Sequence, residues 1–193
     1  MRLLLLLSSL SLLLTGCALK NRTISLTTST ISPAPIKPLS TPISISIEDL
    51  RPKSDVGYAE NILGMKIARI LLDNPLKETL LKSLENSLQA QGYLVTQKTP
   101  STLHLNIAIN ECYTKYDERI FREKAITDLD LVATSFNSQN QVILVKKIHT
   151  QGRVAPFLFI TIKTVQKAIN QALDKAIDNL LQEENLFQKP DAL

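Results

Sequence analysis

The chain has 193 residues, of which 22 are basic and 18 acidic, and 44% of the sequence is hydrophobic with no Trp. The net charge of +4 comes from scattered Lys and Arg, at most in pairs such as Lys146-Lys147, which excludes the concentrated basic patch of a nucleic-acid-binding protein. About 150 residues follow position 41, enough for one domain with its own core of mainly Leu, Ile and Val.

The first seventeen residues have the features of an export signal. Arg2 and the amino terminus are positive, and Leu3 to Leu14 is a leucine tract broken only by serines. This tract fits the apolar core of a signal peptide, about 7–15 residues, and falls short of the about 20 residues that cross a bilayer. It ends in Leu14-Thr15-Gly16-Cys17, which resembles the lipoprotein signal of bacteria. The alternative is a chance Gly-Cys pair behind a leucine run.

This resemblance implies that residues 1–16 are removed as a signal peptide and that the thiol of Cys17 is acylated. Each buried methylene contributes about 0.8 kcal/mol, so several acyl chains attach a protein permanently to a membrane. In such lipoproteins an aspartate after the cysteine favours retention in the inner membrane, and here that residue is Ala18. The resemblance therefore implies the inner leaflet of the outer membrane, with the domain in the periplasm.

The mature chain would differ little in charge from the full one. Removal of Arg2 with the signal leaves a net charge of about +3. With Cys17 acylated, Cys112 is the one remaining thiol, and no internal disulfide is expected.

Residues 17–40 are rich in Ser, Thr and Pro and contain the run Ser32-Pro33-Ala34-Pro35. Prolines at this density oppose helix and sheet, and the polar residues bury little surface. We therefore expect an extended tether between the lipid and a single domain over residues 41–187, followed by a tail over residues 188–193. A docking role for the tether is the alternative.

The first half of the domain alternates strand and helix patterns. Isoleucines alternate with polar residues from Ile43 to Ile47, which predicts a strand, and residues 65–72 predict a second one. Asp73-Asn74-Pro75 predicts a helix start, with a capping side chain and then proline in the first turn. Leucines at helical spacing follow from Leu76 to Leu88, and Gly92 is expected to end the helix.

The second half predicts three further strands and a long helix. Apolar residues alternate from Leu103 to Ile109, then over residues 128–134, and residues 142–149 form the returning strand. Between the first two of these strands, residues 113–124 are expected to be a loop or hairpin end. An apolar stripe at helical spacing predicts a helix from about Lys163 to Leu181.

Strands in sequential, hairpin-like order with helices after the second and the last predict an α+β fold. We expect two layers, with two main helices packed on one face of a largely antiparallel sheet.

Several segments together resemble the YajG family of bacterial lipoproteins. They are the sequence Leu14–Cys17, the helix that leads into Gly92-Tyr93-Leu94-Val95, the alternating strand Leu103–Ile109, the strand Asp128–Thr134, and the final helix. The resemblance covers nearly the whole chain and lies in order and pattern. It implies an envelope lipoprotein of unassigned biochemical role, and it brings no catalytic residue and no cofactor.

Residues capable of chemistry are few. The two histidines, His104 and His149, lie on the expected polar faces of strands, with no carboxylate or cysteine at ligand spacing, and are read as surface histidines. Asp128 and Asp130 point the same way from one strand and could bind a hard cation, but a solvated strand face has the same spacing and is favoured. Cys112 lacks a recognisable base and is expected to be a small buried residue or an edge thiol.

The stretch 154–160 is unusually apolar. It contains Phe157, Leu158 and Phe159 next to Pro156. One interpretation is that it covers the end of the core before the last helix. The other is an exposed apolar patch for a partner protein or a membrane.

Three functions are compatible with these features. A non-enzymatic accessory lipoprotein that binds another envelope protein is favoured, because the domain shows no catalytic pattern. A carrier or sensor of an apolar ligand such as lipid is the alternative, and a hydrolase of the cell wall ranks last, because it would need clustered polar residues in a cleft.

Overall fold

The computed structural model describes residues 21–28, 42–60, 65–96, 103–117, 124–155 and 160–187. In chain order its elements are β1 (Arg22–Ile24), β2 (Pro42–Asp49), β3 (Gly57–Glu60), β4 (Lys66–Leu72), α1 (Leu76–Ala90), β5 (Leu94–Val95), β6 (Leu103–Asp117), β7 (Lys124–Asn137), β8 (Val142–Val154) and α2 (Ile162–Gln182), followed by a short 3-10 helix, Glu184–Leu186.

Five strands form the main sheet in the order β5-β2-β6-β7-β8. The long strands β6, β7 and β8 pair antiparallel, whereas β2 lies parallel to both β6 and β5. Both helices pack on one face of this sheet, α1 against β2 and α2 against β7 and β8. The expected α+β fold with two helices on one face is confirmed.

Alternation along the strands builds the core beneath the helices. Residues Leu103, Leu105, Ile107 and Ile109 of β6 face it and are at most 1% exposed. Opposite them, the stripe predicted for the last helix is fully buried on α2: Val165, Ile169, Ala172, Leu173, Ala176, Ile177 and Leu180. Burial of a large aliphatic side chain contributes about 1.5–3 kcal/mol, so this layer holds the fold together.

A bulge in β6 extends the strand well beyond its apolar pattern. Ile109 pairs with Leu131 and Glu111 with Asp130, so Asn110 is an extra residue. After it, the even-numbered Cys112 and Thr114 face the core. The prediction of a loop from residue 113 is therefore wrong, since β6 continues to Asp117 and β7 begins at Lys124.

A second, three-stranded sheet has the order β1-β4-β3. Strand β1 is parallel to β4, with Arg22 beside Ile70 and Ile24 beside Leu72. The N–H of Val56 donates to Ile70 O at 2.9 Å and the N–H of Thr114 to Val56 O at 2.8 Å, so the turn before β3 joins the two sheets.

The position of β1 corrects the expected tether over residues 17–40. Ile24 and Leu26 are 4% and 8% exposed. Thr27 is bound to α2, because its N–H donates to Asn170 Oδ1 at 3.3 Å and its hydroxyl accepts from Asn170 Nδ2 at 3.1 Å. Residues 21–28 are thus part of the folded domain despite their polar composition, and the rest of the expected tether lies outside the described residues.

The start of α1 differs from the prediction, whereas its end agrees. Pro75 is the N-cap and makes no side-chain capping bond. Asp73 instead accepts the N–H of Asn74 at 2.8 Å and the hydroxyl of Ser25, which ties the turn to β1. At the other end Gly92 has φ +91°, a left-handed conformation that glycine adopts without strain.

Candidate functional site: the open face of the main sheet

The main sheet has a second face, on the side away from both helices. Its residues alternate with the buried ones, and the register aligns them in rows across β6, β7 and β8. Three of these rows are Tyr113–Asp128–Gln151, Glu111–Asp130–His149 and His104–Phe136–Val142. This surface, which we call the open face, gathers four of the residues selected from the sequence: His104, His149, Asp128 and Asp130.

At one end of the open face, Lys115, Asp128, Asp130 and His149 form a set of paired charged side chains, which we call the charged ladder. Asp128 accepts from Lys115 Nζ at 3.1 Å and from Gln151 Nε2 at 2.7 Å. His149 Nδ1 lies 2.5 Å from Asp130 Oδ1. The hydrogen bond to Asp128 raises the pKa of Lys115, and the hydrogen bond to Asp130 raises the pKa of His149.

These pairings explain Asp128 and Asp130 without a metal. Each carboxylate faces a basic side chain, Lys115 or His149, that holds the position a cation would take. Within the described parts of the chain, no group of three or more His, Cys, Asp or Glu could hold a metal ion. The solvated, ion-paired strand face is the interpretation that fits this geometry.

His104 lies at the other end of the open face, away from the charged ladder. Its Nδ1 is 2.8 Å from Ser44 Oγ and its Nε2 is 3.1 Å from Ser46 Oγ, so neighbouring serines of β2 engage both ring nitrogens. The centroid of its ring lies 6.0 Å from that of Phe136, with the two planes tilted by 38°. Held on both nitrogens, this imidazole serves as a structural link between β2 and β6.

Exposed apolar side chains lie on the strands to either side of that histidine. Leu94, Val142 and Val145 are 57%, 57% and 53% exposed, and Phe136 lies half-buried among the strands. The register puts Val142 opposite Phe136, and Val145 one row further along. We call Leu94, Phe136, Val142 and Val145 the apolar end of the open face. The sequence did not reveal the apolar end, because each of its residues has the pattern of an ordinary strand position. They form one surface only where the fold aligns β2, β5, β7 and β8.

Cys112 is buried beneath the far end of β6. Its side chain is 2% exposed, and desolvation raises the pKa of its thiol to about 12. Arg51 lies nearby, where its Nε and Nη2 each donate to Asp49 at 2.8 Å, and this hydrogen bonding lowers the pKa of Asp49. A thiol with that pKa is protonated at neutral pH, so it is not a nucleophile in the folded protein. The buried residue expected from the sequence is confirmed.

The remaining sequence-predicted sites lie outside the described residues. These are the lipidation site Cys17 and the possible partner surface Phe157, Leu158 and Phe159. Of that apolar stretch the structure describes only its two ends, where Val154 finishes β8 and Ile160 is partly buried against the core. Both interpretations of the stretch stay open.

The chain is similar in fold to solved structures that include the following. A DUF330-family protein from Xanthomonas campestris is 16% identical, with a TM-score of 0.62, over 82% of this chain and 91% of that one. An uncharacterised protein is 14% identical, with a TM-score of 0.53, over 86% of this chain and 99% of that one. A minor lipoprotein from Acinetobacter baumannii is 10% identical, with a TM-score of 0.49, over 81% and 99% of the two chains. None of the curated proteins is significantly similar in sequence.

The match of a family model over most of the chain defines the class as a bacterial lipoprotein. The family model Lipoprotein_16, an uncharacterised lipoprotein of YajG type, matches residues 34–189, and the chain belongs to this family. Membership implies membrane association through a lipid anchor. Among the described helices, none is long and apolar enough to cross a membrane.

Proposed function

We propose that the protein is a non-enzymatic accessory lipoprotein, anchored through Cys17 in the inner leaflet of the outer membrane, that binds another envelope protein on the open face. The anchor is supported by Leu14-Thr15-Gly16-Cys17 and by the lipoprotein family, and the choice of membrane by Ala18. The fold covers one face of the main sheet with helices and leaves the other face for the proposed partner.

The apolar end of the open face carries this proposal. Leu94, Val142 and Val145 each expose more than half of their surface, although most large apolar side chains that the structure describes are buried. Exposed apolar side chains that are contiguous and bordered by polar groups mark protein-binding surfaces, whose centres are apolar and whose rims are polar. Here Phe136, Val142 and Val145 are neighbours on β7 and β8, the charged ladder forms the polar border, and the aromatic ring of Phe136 is a suitable anchor.

The chemistry of the open face favours binding over catalysis. Its titratable groups form pairs with neighbours, as Lys115 does with Asp128, and His149 is open to water. Catalytic groups are normally desolvated and have a pKa close to the working pH. The buried thiol of Cys112 has a pKa of about 12, far from that range.

Site-specific photo-crosslinking in living cells tests the binding role. Benzoylphenylalanine at Val145 should give one discrete protein adduct, whereas the same residue at the exposed Lys82 of α1 should give none. Equal crosslinking from both positions, or none from either, would contradict the proposed surface. An adduct with lipid instead of protein would support the carrier of an apolar ligand.

The same crosslinking experiment tests whether the stretch 154–160 takes part in binding. If the Phe157→Ser/Phe159→Ser variant keeps the adduct formed from position 145, the stretch 154–160 is not required for binding.

Ala18→Asp should move the protein to the inner-membrane fraction and Ala18→Ser should not. Unchanged fractionation of Ala18→Asp would remove the argument for sorting to the outer membrane.

A further inference from the structure

The chain between the proposed anchor and the folded domain is very short. Asn21 is the first described residue, and β1 starts at Arg22. Three residues lie between Cys17 and Asn21, and the four residue-to-residue steps span about 14 Å at most in a fully extended chain. A domain on such a short connection lies against the lipid surface.

The segment that follows is held firmly in the fold. Ile24 and Leu26 are buried, the N–H of Asp73 donates to Ile24 O at 3.1 Å, and Thr27 is bound to Asn170 of α2. An anchor at Cys17 therefore holds β1 and the small sheet close to the membrane. This fixes which side of the domain meets the membrane.

The direction of β1 identifies that side. Because β1 and β4 are parallel and Arg22 is level with Ile70, Asn21 lies on the side of Arg22 that faces the N-terminal end of β4. Two apolar side chains are exposed there, Met65 at 55% and Ile67 at 37%. On β3, Tyr58 is paired with Arg69 in the same sheet.

The charges around these apolar residues suit a bilayer surface. Strands β1, β3 and β4 carry three basic residues, Arg22, Lys66 and Arg69, all exposed, against the single acidic Glu60. Basic side chains are attracted to anionic headgroups, and exposed apolar ones enter the boundary between headgroups and acyl chains. Tyr58, whose ring lies 4.8 Å from Lys66 Nζ, belongs to the residue type enriched at membrane interfaces.

We propose that the small sheet is a membrane-docking surface, on which Met65 and Ile67 insert at the headgroup level while Lys66 and Arg69 contact anionic lipids. This inference rests on the proposed acylation of Cys17. It assigns the three-stranded sheet to the bilayer and leaves the open face of the main sheet for the protein partner.

A fluorescent probe at Ile67 tests the docking. The full chain with Ile67→Cys is purified from bacterial membranes, and its acylation at Cys17 is checked by intact mass. It is labelled with a nitrobenzoxadiazole maleimide, to which the buried Cys112 is inaccessible. The matched control is Val145→Cys on the open face, which starts with a similarly accessible side chain, 53% exposed against 37%.

In vesicles of phosphatidylethanolamine and phosphatidylglycerol, the probe at position 67 should show a several-fold rise in emission with a blue shift, and lipids with a nitroxide near the headgroup should quench it. The probe at position 145 should stay as in water. Equal signals at the two positions in an acylated protein would overturn the docking surface and leave the anchor standing. An intact mass without acyl chains would overturn both.

The charge part of the inference has its own test. In the labelled Ile67→Cys chain, Lys66→Gln/Arg69→Gln should remove about half or more of the response that depends on phosphatidylglycerol. Lys147→Gln, an exposed lysine of the open face, should change nothing. An equal loss from both variants would show that only the net charge matters, and would contradict the assignment to this sheet.

Discussion

The two faces of the main sheet are built from the same strands but differ in burial. On the covered face, Leu105, Leu129 and Ile148 lie under the helices and are at most 5% exposed. On the open face, one residue further along each strand, the side chains are polar, charged or exposed and apolar. Stability is concentrated on the first face, so the second can be changed with little effect on folding. Four predictions test how sharp that separation is.

The largest effect is expected where α2 crosses β8 at Gly152. A Cβ at this position would lie 1.7 Å from Ala168 O and 2.9 Å from Ala172 N, both backbone atoms of the helix. Gly152→Ala should therefore lower the free energy of unfolding by about 4 kcal/mol or more, above ordinary overpacking, as measured by urea unfolding followed by circular dichroism. Ala168→Gly in the same chain should not restore stability, because the clash is with the backbone. If Ala168→Gly restored the stability, the clash would be with the side chain of Ala168 and not with the backbone.

The next effect compares adjacent residues of β6. Leu105→Ala leaves a cavity under the helices and should cost about 3 kcal/mol in urea unfolding. Asn106→Ala, on the open face, should stay within about 0.5 kcal/mol of the unchanged protein. Similar losses at the two positions would mean that the open face is part of the stabilising structure.

A smaller effect is expected from the one hydroxyl pair beneath the long strands. Thr114 Oγ1 and Thr127 Oγ1 are 2.8 Å apart and buried. Thr127→Val leaves the hydroxyl of Thr114 without that partner and should cost about 1–2 kcal/mol. The double variant Thr114→Val/Thr127→Val should be more stable than the sum of the single losses, in a double-mutant cycle. Strict additivity would show that the two hydroxyls do not interact.

The smallest effect is on the open face itself. The hydrogen bond to Asp130 raises the pKa of His149 above its ordinary value of 6.5. The protonated pair thus stabilises the fold fully below pH 6.5, and this contribution is lost as the pH rises through the raised pKa. Since the histidine is exposed, the change in stability should be slight, but NMR titration of the imidazole should show the shift. Asp130→Asn should abolish it, and Asp128→Asn should reduce it less. An unshifted titration in the unchanged protein would contradict the pairing.

The sequence predicted the covered face well because its alternation is strict. Leu103 to Ile109 on β6 and the stripe on α2 each follow one period, and burial explains both. The bulge at Asn110 was not predicted. Before it the odd-numbered residues of β6 face the core and after it the even-numbered ones do, so the polar Thr114 is buried, contrary to the alternation of the apolar residues. Parallel pairing of β2 with β6 was missed too, since local periodicity carries no information about which distant strands become neighbours.

The open face and the small sheet were harder to predict for a related reason. His104, Phe136 and Val145 form one surface only after strands far apart in sequence are aligned. Strand β1 could not be recognised in the sequence because Ser, Thr and Pro surround it. It forms by pairing with the edge of β4. Asp73 was a reasonable helix cap, yet its carboxylate binds Ser25, a tertiary contact that local preference cannot reveal.

The hydrogen bonds between α2 and the outer edge of β8 have a consequence for crowding on a membrane. The N–H of Arg153 donates to Gln171 Oε1 at 3.2 Å, and the carbonyl of Gln151 accepts from Lys175 Nζ at 2.8 Å. Further along the edge come Lys146 and Lys147, and charged residues there oppose strand addition. The opposite edge, β5, has only two residues. Anchored molecules that diffuse in two dimensions collide often, and these blocked edges keep such encounters from growing into shared sheets.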